Sequence, residues 1–75
     1  LMDDQKEEDA IAELSKAISF KLDLQLLHLR AAFYESIRDF TNSLRDCRAA
    51  LSIDATHVET LHLYTQVFHK GQKSL

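Results

Sequence analysis

Apolar residues return every three or four positions along most of this chain, the spacing of one face of an α-helix. In the first segment the stripe is Ile11, Leu14, Ala17 and Ile18, and acidic residues crowd the turns before it, where they favour the positive end of a helix dipole. Lys21-Leu22-Asp23 reads as a short turn with Asp23 as N-cap. A second helix is predicted from about Leu24 to Ile37, apolar on nearly every side through Leu24, Leu26, Leu27, Leu29, Ala31, Ala32, Phe33 and Tyr34. Such a helix is expected to be covered over most of its surface. Arg38-Asp39-Phe40 reads as a turn with Thr41 as cap, and a third helix then sets Leu44, Cys47, Ala50 and Leu51 on one face. Arg45, Asp46 and Arg48 are placed on its exposed face, in surface pairs worth little. Asp54-Ala55-Thr56 closes it. Thr56 and Glu59 fit a capping box for a fourth helix, which carries Val58, Leu61, Tyr64, Val67 and Phe68. Gly71 is placed to stop that helix, with Gln72-Lys73-Ser74-Leu75 as a frayed tail.

The pattern repeats. Leu27, Arg30, Ala31 and Tyr34 return 34 residues later as Leu61, Tyr64, Thr65 and Phe68. Ala10, Leu14, Ala17 and Ile18 return 33 residues later as Ser43, Cys47, Ala50 and Leu51. Two kinds of helix recurring at nearly one period is the mark of a repeat array. With Leu27-x-x-Arg30-Ala31-x-x-Tyr34 in one helix and Ser43-x-x-x-Cys47-x-x-Ala50-Leu51 in the next, the chain resembles the tetratricopeptide-repeat family. It departs from that family at Leu27, where tryptophan is usual, at Arg38, where glycine is usual, and at Ala55, where proline is usual. The resemblance covers residues 10 to 70 or so. It implies an all-α fold of antiparallel helix hairpins, an α-solenoid fragment of four helices forming one module over residues 1–75. The expected division is a second helix of a partial repeat (about 4–21), a full repeat (24–57), a first helix of a further repeat (57–70) and a tail (71–75).

Composition narrows the function. With 75 residues the chain holds one small domain, a size at which a core needs support from outside itself. A single cysteine excludes an internal disulfide and fits a reducing compartment. The net charge of −3 gives no basic footprint for nucleic acid, and no apolar run reaches the length of a membrane span. A cytoplasmic location is the expectation. Starting at Leu1, the chain reads as an excised piece of something longer.

The resemblance implies binding of another protein, as a peptide or helix, on a concave face. That face should carry Gln25, His28, Leu29, Ala32 and Glu35 from the second helix, and Glu59, His62, Leu63, Gln66 and Lys70 from the fourth. One branch of the family holds acidic chaperone tails ending Glu-Glu-Val-Asp, using an asparagine, a lysine and an arginine. Those places hold Leu29, Glu59 and Leu63 here, so one charge is reversed and two donors are lost. The chain is therefore expected to bind a more apolar ligand, as an adaptor or co-chaperone-like scaffold segment. Alternatively, Leu29 and Leu63 pack sideways against adjacent helices. Repeat units bury their faces only against neighbours, and Leu63 and Val67 are expected to add apolar surface beyond the Leu61, Tyr64, Phe68 stripe. The rival expectation is thus self-association, a homo-oligomer or a longer array covering Ile11, Leu14, Ile18, Leu63 and Val67.

Other chemistry finds little footing. His62 and His69 share a helix but sit about 10 Å apart, too far for easy chelation. His28 and His62 hold equivalent repeat positions, which makes a pH-sensitive groove conceivable. Cys47 reads as a small buried hydrophobe. Ser36, Ser43 and Ser52 have no activating motif, and Asp3 to Asp9 read as a solvated helix start. No enzyme, cofactor or metal site is expected.

Overall fold

The computed structural model describes the backbone of residues 3–73 and the side chains of residues 6–72. Four helices follow one another: α1 (Asp3–Phe20), α2 (Leu24–Ser36), α3 (Phe40–Ile53) and α4 (Val58–Lys73), with no strand among the described residues. The side chains of Asp3 and Asp4, and the residues Ser74 and Leu75, lie outside the described part.

Local chemistry sets the joints. Asp23 caps α2, its Oδ1 accepting from the Gln25 amide at 2.8 Å. The α2–α3 turn ends in paired carbonyl bonds: the Arg38 amide donates to Glu35 and the Asp39 amide to Tyr34. This motif places its pivot in the left-handed region, and Arg38 sits there at φ 65°. A repeat helix usually puts glycine here; arginine adopts the same backbone at a cost of roughly 1 kcal/mol. The cap of α3 is Asp39, not Thr41: its carboxylate accepts from the Asn42 amide and side chain. Thr41 is exposed, inside the first turn.

The start and end of α4 also differ from expectation. Asp54 Oδ1 accepts from both the amide and the hydroxyl of Thr56, so Thr56 is engaged in the preceding turn. His57 takes the capping place instead, its Nδ1 accepting from the Thr60 amide at 3.3 Å. Gly71 does not stop the helix. It lies within α4, which runs through Lys73, and its φ is not positive. With too little side chain to end a helix by itself, glycine stops one only where the backbone turns left-handed, and here it does not.

The helices pack in chain order. α1 lies on α2, α2 on α3 and α3 on α4, with a small direct contact between α2 and α4 and none between α1 and either α3 or α4. The result is a slab measuring 34 × 30 × 15 Å. Ala31, Cys47, Leu63 and Val67 form its core, with Ala32, Phe40, Leu44 and Tyr64 packed around them. Ser43, fully buried, donates to the Ala31 carbonyl at 2.8 Å, a close approach that only small residues allow.

Two expectations about faces are corrected. α2 is not covered all round: Leu27 and Ala31 are buried while Leu29 is 45% exposed. In α4, Leu63 and Val67 are buried and the Leu61, Tyr64, Phe68 stripe is the outer face, with Leu61 and Phe68 exposed. The reason is the neighbour. α4 packs on α3 through Thr60, Leu63 and Val67, and among the described residues no helix follows to cover the other side.

Candidate functional site

A pocket of about 540 Å³ opens between α2 and α4, lined by His28, Ala32, Val58, Glu59, His62, Leu63 and Gln66. α2 supplies His28 and Ala32, one turn apart on one face. α4 supplies Val58, Glu59, His62, Leu63 and Gln66, also at helical spacing. Six of the ten residues assigned to the concave face thus share one cavity. Glu35 and Lys70 meet beside it as an ion pair between α2 and α4. Gln25 and Leu29 are exposed and do not line it. Leu63 is 9% exposed, so it forms the floor, and part of its surface is spent on the core. Val58, 74% exposed at the lip, was missed by sequence reasoning. It falls on the same face as His62, and that four-residue step could have found it.

The wall of this pocket rests on a polar joint. The Thr60 hydroxyl, fully buried, lies 3.1 Å from His28 Nδ1 and 2.7 Å from His57 Nδ1. The two imidazoles stand edge to face with centroids 5.8 Å apart. Glu59 lies 3.7 Å from His57 Nε2 but is itself 77% exposed. Neither His57 nor Thr60 stood out in the sequence, because threonine and histidine carry no strong cap signature.

A second concavity, about 350 Å³, lies on the far side of α2 between Ile18, Leu27, Arg30, Tyr34 and Asp46. Its chemistry corrects another expectation. Asp46 is not on an exposed face; it is 5% exposed and takes both Nε and Nη2 of Arg30, at 2.7 and 2.8 Å. Arg30 Nη1 donates to Ser15, which ties α1 into the same cluster. The Asp46 hydrogen bond holds the guanidinium above its usual pKa. A forked pair of this kind must be matched on both sides, since a buried charge left unpaired is expensive. Cys47, fully buried beside it, has its thiol pushed up to about 11 by burial, which keeps it protonated and unreactive at neutral pH.

The five residues assigned to self-association divide. Ile11, Leu63 and Val67 are buried within one chain, so they offer no intermolecular face; Leu14 and Ile18 are half-buried. The exposed apolar positions are instead Phe20, Leu22, Leu29, Ile53, Val58, Leu61 and Phe68. Among the described residues, no group of three or more metal-ligating side chains converges, and no helix is long and apolar enough to cross a membrane.

No solved structure matches the chain. Among curated proteins of Arabidopsis thaliana, ETO1-like protein 1 is 64% identical over 89% of this chain, which covers 8% of that protein. Ethylene-overproduction protein 1 is 64% identical over 97% of the chain, covering 7% of its length. ETO1-like protein 2 is 56% identical over 88%, again 7% of its length. The chain therefore spans less than a tenth of the relatives it matches. The family model described as the ETO1 C-terminal domain matches residues 1–72, and with its all-α, tetratricopeptide-like form the chain belongs to that family.

Proposed function

We propose that this chain is a protein-interaction segment, without enzymatic activity, that receives a peptide or short helix in the pocket between α2 and α4. The observation that carries the reading is the lining itself. Ala32 and Leu63 give an apolar floor, and His28, Glu59, His62 and Gln66 give a polar rim, the composition of a recognition groove. Glu59 at the rim repels an acidic tail, and neither Leu29 nor Leu63 can donate to a carboxylate. The segment is taken to work in the cytoplasm as part of a longer helical array of one full repeat between two partial ones. Within a protein like the relatives named for ethylene overproduction, its contribution is partner recognition.

A second reading has its own observation. Leu61, Thr65 and Phe68 are exposed along one side of α4, and Tyr64 stacks on Phe68 with centroids 6.4 Å apart. A further helix, from a longer array or from a second copy, would cover this stripe.

The two readings are separated on the 75-residue chain with peptides selected against it from a random library. Gln66→Trp fills the pocket from an exposed position and should weaken selected peptides at least about tenfold, or ~1.4 kcal/mol. Phe68→Glu should leave them bound but abolish any concentration-dependent mass in sedimentation. Equal binding to Gln66→Trp, or micromolar affinity for a Glu-Glu-Val-Asp-ended peptide, would end the pocket reading. A monomer at every concentration removes the second copy.

A further inference from the structure

The joint behind the pocket wall has a direction. Thr60 has one hydroxyl proton and two imidazole neighbours. Its amide already donates to His57 Nδ1 at 3.3 Å, so that nitrogen carries no proton. The hydroxyl, 2.7 Å away, then donates to His57 Nδ1 as well. Its free lone pair is left to accept from His28, whose Nδ1 must be the protonated nitrogen, at 3.1 Å. The arrangement satisfying every contact is His28 N–H to Thr60 O–H to His57.

We propose that this chain of bonds is a proton-operated clasp: neutral His57 locks the start of α4 against α2, and protonation of His57 releases it and loosens the pocket. A protonated His57 is a donor at Nδ1. It can no longer accept from the Thr60 amide, which lies in the first turn of α4 where no carbonyl is available to replace it. The Thr60 hydroxyl must also turn away, towards a His28 nitrogen that already carries a proton. Both losses fall on a residue with no solvent exposure, where an unmade hydrogen bond is most costly.

The charged and titratable groups facing His57 do not reverse this. From α2, His28 stands 5.8 Å away by ring centroid, and a second cation there would be repelled. The positive end of the α4 dipole acts in the same sense. Glu59 on α4 and Asp54 at the end of α3 attract the cation. Both are exposed, however, and attraction through solvent is small. His62 shares the pocket with His28, and its protonation adds to the repulsion. His28 differs from His57 in kind: it donates through Nδ1 whether neutral or charged, so its own titration leaves its bond to Thr60 in place.

The regulatory meaning rests on the pocket being the binding face; the clasp itself does not. The test is made on the 75-residue chain without ligand, at about pH 8 and about pH 5.5, on either side of the ordinary imidazole range. At the higher pH, ring-nitrogen NMR should find a proton on Nδ1 of His28 and none on Nδ1 of His57. At the lower pH, protection of the Thr60 amide from hydrogen exchange, corrected for intrinsic rate, should fall about fivefold, the effect of one lost cap. His57→Asn still caps but does not titrate, so its protection should be flat with pH. Selected pocket peptides should weaken by a similar factor at the lower pH for the parent chain and not for His57→Asn. A proton on His57 Nδ1 at the higher pH overturns the proposal, as does a flat parent profile or an unchanged slope in His57→Asn. Should His57→Asn fail to fold, the ring spectrum of the parent chain still decides. A failure of Gln66→Trp to weaken peptides would touch only the pocket reading, since ring protonation and exchange are read without peptide.

Discussion

In α2, Leu27 and Ala31 are 2% and 0% exposed; in α4 their counterparts 34 residues on, Leu61 and Thr65, are open to solvent. The opposite sides invert the comparison. Thr60, Leu63 and Val67 are buried in α4, whereas Leu26 and Phe33 in α2 are half-covered and Leu29 is exposed. Two helices with matching patterns therefore bury opposite faces. The difference lies in their neighbours: α2 has a helix packed on either side, α1 and α3, while α4 has α3 and a small contact with α2. An apolar pattern says which faces can be buried, and the stacking order decides which of them is.

The strongest way to break this comparison is to truncate equivalent leucines. Leu27→Ala should cost about 3 kcal/mol of unfolding free energy, in the range for a buried leucine. Leu61→Ala should cost under about 1 kcal/mol, because that side chain already meets water. Denaturant titration of both variants measures the gap. Equal losses would mean that α4 is covered in solution by something that α3-like packing would explain, and the second reading of the function would gain at the expense of the first.

The next effect concerns what holds α2 on both sides. Arg30 reaches α3 through Asp46 and α1 through Ser15, whereas its counterpart in α4 is Tyr64, which has no charge to pair. Asp46→Ala should cost about 2 kcal/mol in chemical denaturation, somewhat below a fully buried pair because Arg30 keeps 20% of its side-chain surface. Arg30→Met combined with Asp46→Leu should recover much of that loss, since no charge is then left unmatched. A double variant as unstable as Asp46→Ala would show that shape, not charge pairing, is what the site supplies.

Much of this was legible in the residues. The four helices, the Asp23 cap and the clustering of His28, Ala32, Glu59, His62 and Gln66 follow from spacing, because a helix face is fixed by its period. What spacing could not show was context. Asp46 looks solvated until Arg30 is seen to arrive from a residue sixteen positions away. Thr60 reads as an ordinary helix threonine until two histidines from different elements converge on it. Arg38 stands where glycine is expected, and the paired carbonyl bonds of the turn hold it left-handed all the same. Each miss is a tertiary contact overriding a local preference.

Gly71 poses the converse of Arg38, and the smallest prediction turns on it. By sequence it ends α4; in the structure it lies inside a helix that continues to Lys73. A Cβ placed there would meet Phe40 Cβ at 3.9 Å, an ordinary contact. If the helical backbone is right, Gly71→Ala removes conformational freedom from the unfolded chain and clashes with nothing. It should then stabilise by about 0.5 kcal/mol, reduced from the mid-helix value by its place near the end. If instead the residue turned left-handed to stop the helix, alanine would be strained and the sign would reverse. The sign of the shift in melting temperature therefore tells whether α4 runs two residues past Gly71, extending the outer face on which Leu61 and Phe68 stand, or ends before it.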